Sequence, residues 1–218
     1  MKKILFTIFV LSLLTVACSR LEEPTISWFL AIERGDIEQV ERHIHWNTNI
    51  NEAFENGNYP IHEAALKGRM ILLEILIKND ANIDVKNRNN LTPLEVAILS
   101  GRTQAASLLI KSNSTFNPSK LILIAAKNGN KDKDVVKFLK SNKADFESTD
   151  KNGNTPLIIA VTQGNNRLAH HLIEYGSSIN AIDKNGKTSL DIAEKMKDNE
   201  LIKLLKRNGA INSKLAEE

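Results

Sequence analysis

The sequence predicts an all-α repeat protein, a solenoid of about six helix-turn-helix units with projecting hairpin loops. Three observations lead there. Pro60 and Pro93 stand 33 residues apart, as do Gly35 and Gly68, Gly68 and Gly101, and Pro156 and Ser189. The phrases NYPIHEAALKGR (58–69), LTPLEVAILSGR (91–102) and NTPLIIAVTQGN (154–165) align on one another. In each, a Pro, an apolar half-turn, a small Ala and a Gly recur in the same order, so one supersecondary unit is repeated.

Each unit opens on a first helix. Pro60, Pro93 and Pro156 suit the first helical position, where a missing N–H costs nothing, and Thr92 and Thr155 before two of them are helix caps. Ala64, Ala97, Ala125, Ala160 and Ala193 share one register, and their small side chains let neighbouring helices approach closely. Gly68, Gly101, Gly129 and Gly164 end the first helix, because glycine adopts positive φ freely. A second helix carries Ile75-Leu76-Ile77, Leu108-Leu109-Ile110 or Leu204-Leu205, placing apolar residues three and four apart toward the stack. Closing phrases such as Ala81-Asn82-Ile83-Asp84 and Ala210-Ile211-Asn212 follow, leading into turns such as Asp150-Lys151-Asn152-Gly153 and Asp183-Lys184-Asn185-Gly186.

The end units should shield the stack from water. Asp36, Glu38, Glu41 and Arg42 give the first a polar outer face, and Lys203, Lys206 and Arg207 do so for the last. The fourth unit departs most. Ala97 to Ala125 is 28 residues, because Phe116-Asn117-Pro118-Ser119-Lys120 replaces the long turn. Gly129 to Gly164 is 35, with the surplus in Asn130-Lys131-Asp132-Lys133-Asp134. The row of hairpins should therefore have a notch in its middle.

Period, turn and helix phrases together resemble the ankyrin repeat, with its Thr-Pro-Leu-His start, Ala pair and closing Gly. The resemblance covers about 26–212. It implies protein binding on a concave face made of hairpin tips and the last turn of each first helix. On this chain that face comprises Glu55, Asn56, Asn58, Leu66 and Lys67, then Arg88, Asn89, Leu91 and Leu99, then Lys151, Asn152, Lys184 and Asn185. Ser100, Lys127, Asn128, Asn154, Thr162, Gln163 and Lys187 complete it. Phe54 and Tyr59 lie at the hairpin beside Leu66, Leu91 and Leu99, and an apolar cluster on an exposed face suggests an interface core. His62 matches the family's histidine, which implies a structural tie from helix to hairpin.

The start of the chain reads as a leader. Lys2 and Lys3 precede an apolar run from Ile4 to Val16, too short for a bilayer span of roughly 20 residues but suited to a signal h-region of roughly 7 to 15. Thr15-Val16-Ala17-Cys18 resembles the lipobox of bacterial lipoproteins, although Thr15 stands where Leu is usual. That resemblance implies a leader at 1–17, lipidation of Cys18 (the only cysteine) and a short acylated tether at 18–25, with 213–218 as a tail. Ser19, not Asp, after the cysteine implies an outer membrane lipoprotein facing the periplasm of a Gram-negative host. The tether reaches roughly 30 Å at full extension, so the stack would work close to the membrane.

Removing Lys2 and Lys3 leaves 27 basic against 26 acidic residues, which is no footprint for nucleic acid. Each catalytic motif lacks one essential residue. Gly186-Lys187-Thr188 lacks the first glycine of a phosphate loop, since Ala181 occupies that place, and His62-Glu63 lacks the second zinc histidine, replaced by Leu66. No enzyme, cofactor or metal is expected, and His171 falls at a normally apolar place. The expected partner of this monomer is another envelope protein. The chain would serve as an adaptor for a resident complex, or resemble immunity lipoproteins that neutralise an envelope-targeting effector such as a type VI secretion phospholipase.

Overall fold

The computed structural model describes residues 22–213. The leader at 1–17, Cys18, Ser19, the tether as far as residue 21 and the tail from residue 214 lie outside the described residues. Among the described residues, twelve helices follow one another in pairs. The first three pairs are α1 (Trp28–Arg34) with α2 (Ile37–His45), α3 (Pro60–Lys67) with α4 (Met70–Lys78), and α5 (Pro93–Leu99) with α6 (Thr103–Lys111). The last three are α7 (Pro118–Lys127) with α8 (Lys133–Ser141), α9 (Pro156–Thr162) with α10 (Asn166–Glu174), and α11 (Ser189–Met196) with α12 (Asn199–Arg207). These are the six predicted units. No described helix is long and apolar enough to cross a membrane.

Helices of seven to ten residues are below the length at which an isolated helix is stable in water, so the stack must hold them. Their starts are fixed by side chains. Thr92, Thr155 and Thr188 Oγ1 each accept the N–H three residues on, and Glu95 and Asp191 close capping boxes at two of these sites. Asp36, Asn165 and Asp198 cap second helices in the same way. The shared-register alanines are fully buried, and the core runs without interruption from Ala31 to Ala210. First helix packs on first helix, and second on second, along the chain order.

The fourth unit confirms the notch and explains it. Asn117 caps α7 and Pro118 takes its first position, so the helix starts three residues earlier against its buried Ala125 than α5 does against Ala97. The link from Ser112 to Asn117 is short and forms no hairpin. The two extra residues after Gly129 lie before Asp132, which caps α8. Inner helices α5 and α7 are also the most loosely packed neighbouring pair of first helices.

Candidate protein-binding face

Four hairpins project from the stack, each closed by two backbone bonds, of which the outer runs from Phe54 N–H to Asn58 C=O at 2.8 Å, and from Asn87 to Leu91, Asp150 to Asn154 and Asp183 to Lys187 at 3.0 Å. In three of them the first residue is Asn or Asp, and its side chain organises the turn. Asp150 Oδ1 accepts from Asn152 N–H (2.9 Å) and Asn154 N–H (3.0 Å); Asp183 Oδ1 and Asn87 Oδ1 accept from their equivalents. Burial works to raise the Asp150 carboxyl, but Lys127 Nζ at 3.1 Å and these two N–H groups outweigh it and hold it below the usual range.

The first hairpin differs because Phe54 holds the Asx place. Its ring meets Phe29 edge-on at 4.9 Å, filling space an aspartate would leave open. Tyr59 stands where three other units have a capping Thr, and its ring lies against His62. Phe54, Tyr59, Leu66, Leu91 and Leu99 are all half-buried. The more exposed apolar side chains lie at the two ends of the face: Phe29 at 40 % exposure, and Ile182 and Met196 at 56 % and 44 %. Met196 and Ile192 line a concave recess of about 1420 Å³ with Asn152, Lys184, Asn185 and Lys187. The expected face thus holds Asn152, Lys184 and Asn185 together, but the repeat offset from Ala193 also marks Lys195 and Met196, which the sequence reading passed over.

Several expected binding side chains instead stitch the repeats together. Arg88 Nη2 donates to the Glu55 carbonyl at 2.6 Å, Lys184 Nζ to the Lys151 carbonyl, and Lys67 Nζ to the Glu33 carbonyl at 3.1 Å. Asn56 and Asn58 both donate to Glu63 Oε1 at 2.9 Å, and Asn87 Nδ2 donates to Asn58 Oδ1 at 2.8 Å. Glu55, Asn89, Lys151 and Asn152 side chains have no such partner among the described residues. Across the notch, a smaller recess of about 450 Å³ lies between Asn89, Asn90 and Leu91 on one side and Lys120, Ile124 and Asn128 of α7 on the other.

His62 is fully buried. Its Nδ1 accepts from Tyr59 N–H (3.3 Å) and its Nε2 donates to the Leu91 carbonyl (2.9 Å), tying α3 to the next hairpin. Burial pushes its pKa below the ordinary value despite the Leu91 bond. His171 is half-buried, and burial lowers it too. Its Nδ1 lies 3.6 Å from Glu174, and ligand atoms of His170, His171 and Glu174 come within 4.8 Å of one another. Lys133 Nζ donates to Glu174 Oε1 at 2.6 Å, so that carboxylate already has a cationic partner.

A stack of paired helices with polar hairpins along one edge defines a repeat scaffold of the kind that binds proteins. The ankyrin repeat family, by a match to its repeats (3 copies) over 28–120 and 122–214, is the family to which this chain belongs. Such scaffolds typically act through protein interaction and not through catalysis. A comparison with curated proteins finds no match. Among solved structures, the chain is similar to a chain of the Bd0816 predatory endopeptidase from Bdellovibrio bacteriovorus in complex with immunity protein Bd3460. There the identity is 26 % and the TM-score 0.63, covering 81 % of this chain and 95 % of that one. The ankyrin repeat protein EF0377 is 25 % identical at TM-score 0.63, over 82 % and 96 % of the two chains. The human ASB11 ankyrin repeat domain, 24 % identical at TM-score 0.67 over 83 % and 82 %, shares the fold.

Proposed function

We propose that this chain is a lipid-anchored protein-binding module of the cell envelope, held at the outer membrane through Cys18, that neutralises a toxic hydrolase by covering it with the concave face. The observation that carries this reading is the likeness, over 81 % of this chain, to a chain of an endopeptidase–immunity protein complex. The leader and Cys18 supply the place, because a short tether keeps the stack near the envelope substrates such an enzyme attacks. The recess between the last two hairpins and α11 supplies a concave surface with polar sides and apolar points, the pattern of an interface core with its rim.

Deletion of the gene in its own host tests the reading. Lysis or envelope hydrolysis is expected, reversed by wild type and reversed poorly by Cys18→Ser. Loss of one resident envelope complex without toxicity would replace inhibition by the adaptor role.

A further inference from the structure

Charge is not spread evenly along the stack. Residues 22–111 carry 9 basic and 13 acidic side chains, and residues 145–213 carry 9 of each. The fourth unit between them, 112–144, carries 7 lysines and 2 aspartates, so the positive excess of the C-terminal half is confined to it. Lys120 and Lys127 lie on α7, and Lys127 is engaged by Asp150. The other five, Lys131, Lys133, Lys137, Lys140 and Lys143, lie on α8 or just beyond its ends, in the layer of second helices opposite the hairpin face.

These charges do not cancel locally. Lys133, Lys137 and Lys140 are spaced i, i+4 and i+7, which sets them along one stripe of α8, and all five lysines are exposed. Glu174 of α10 is held by Lys133 at 2.6 Å, and the Asp132 carboxylate caps α8 through the Asp134 N–H at 2.8 Å. Asp145, beyond Lys143, accepts the Glu147 N–H. Asp134 then stands against Lys131, Lys137, Lys140 and Lys143, none of which has an ion-pair partner among the described residues. Lys140 Nζ instead lies over the Phe146 ring, 4.8 Å from its centroid. Helices α6 and α10 pack on either side of α8 and extend the patch with exposed Lys111 and Arg167, and α6 holds no acid.

We infer that this outer side of the fourth unit rests on an anionic bilayer surface, so that the tethered stack turns its hairpins and concave face away from the lipid. The residue type selects the occupant. The stripe and its ends use lysine alone, a flexible point charge, whereas the fixed carboxylate of a partner protein is matched by the two-pronged guanidinium of arginine. Long cations on an open helix face suit a plane of diffuse negative charge. The inference rests on the tether reading above, which brings the face to the membrane within roughly 30 Å of reach.

Lysine acylation on vesicles tests it. The protein as purified from its host is mixed with vesicles of phosphatidylcholine alone, or in equal parts with phosphatidylglycerol, and the acylation rate of each lysine is read by mass spectrometry. On the anionic vesicles Lys137 and Lys140 should react about fivefold more slowly than on the neutral ones, the factor expected for one lysine held at an anionic surface. Salt at about 1 M, which confines charge interactions to about 3 Å, should remove the difference. Lys78 and Lys86, in the acidic half, should react at the same rate on both. In the Lys137→Gln, Lys140→Gln variant, with circular dichroism unchanged, the slowing at Lys131 and Lys143 should be lost. Equal rates on the two vesicles, or equal slowing at every lysine, overturns the inference and leaves the protein-binding reading to the deletion phenotype. Slowing on host envelopes but on neither vesicle assigns the face to an acidic protein and overturns the lipid surface. Slowing of Lys137 and Lys140 in a chain that proves to carry no acyl group upholds the face and removes the anchor.

Discussion

Asp150 shows how one side chain sets a hairpin. It accepts two backbone N–H groups and the Lys127 ammonium while nearly buried, so truncation leaves donors unmet on both sides. Asp150→Ala is expected to destabilise the protein by about 2 kcal/mol, read as a lower urea midpoint at unchanged slope. A gain is available at Lys197, which holds the left-handed conformation (φ 59°) that glycine holds at the equivalent Gly68, Gly101, Gly129 and Gly164. Lys197→Gly should add up to about 1 kcal/mol, since the Cβ penalty of that conformation outweighs the extra freedom of the unfolded chain. The Asx turns and threonine caps were legible in the sequence because the bonds they make are local. Phe54 was legible as an apolar residue at the hairpin, yet its contact was not, because Phe29 lies in the preceding unit. The same holds for Lys67, Arg88 and Lys184, whose partners are backbone carbonyls one repeat away and carry no mark in the sequence.

Helix starts and ends, as elements, respond to pH through a few groups. The Asp191 carboxyl is held at about 2: burial opposes this, and bonds from Thr188, Asn212 and Ser213 outweigh it. A carboxylate with a lowered folded pKa stabilises the fold above its unfolded value near 3.8, and this is lost as pH falls toward 2. The contribution is on the order of 1 to 2 kcal/mol. It pins residues 212–213 to α11, so Asp191→Asn should flatten the fall in stability between about pH 4 and 2. His62 acts at milder acidity. The folded chain resists protonating it while the unfolded chain accepts a proton near the ordinary value of 6.5, so its stabilisation is complete above that pH and declines below it. Thermal unfolding should shift down between pH 7.5 and 5.5, and His62→Gln should reduce the slope of that shift, with His171 supplying what remains. The tie made by His62 was legible through the family's motif. The longer α7 was not, because the spacing showed only that residues were missing and Asn117-Pro118 restarts the helix a turn early.

At the scale of the whole molecule, a repeat stack behaves as a line of units coupled only to their neighbours, and its cooperativity depends on the weakest interface. The 33-residue period made the number of units and the notch legible. It carried no information on how tightly each pair of units packs. That interface lies between the third and fourth units. The hairpin that would bridge them is absent, and α5 and α7 approach less closely than the other inner helices. What remains there is the packing of α6 on α8 and a bond from Asn130 Nδ2 to the Leu99 carbonyl at 3.2 Å. The stack should therefore unfold as two halves of three units each. Both tryptophans, Trp28 and Trp46, lie in the first unit, so fluorescence reports the N-terminal half, whereas helical circular dichroism reports the helices of both halves. Urea unfolding followed by the two signals is expected to give non-coincident transitions, with hydrogen exchange separating residues 28–111 from 118–207. Inserting five residues after Phe116 to restore the hairpin should bring the two curves together. Superimposable transitions in the wild type would mean that the continuous buried core couples the halves despite the missing hairpin.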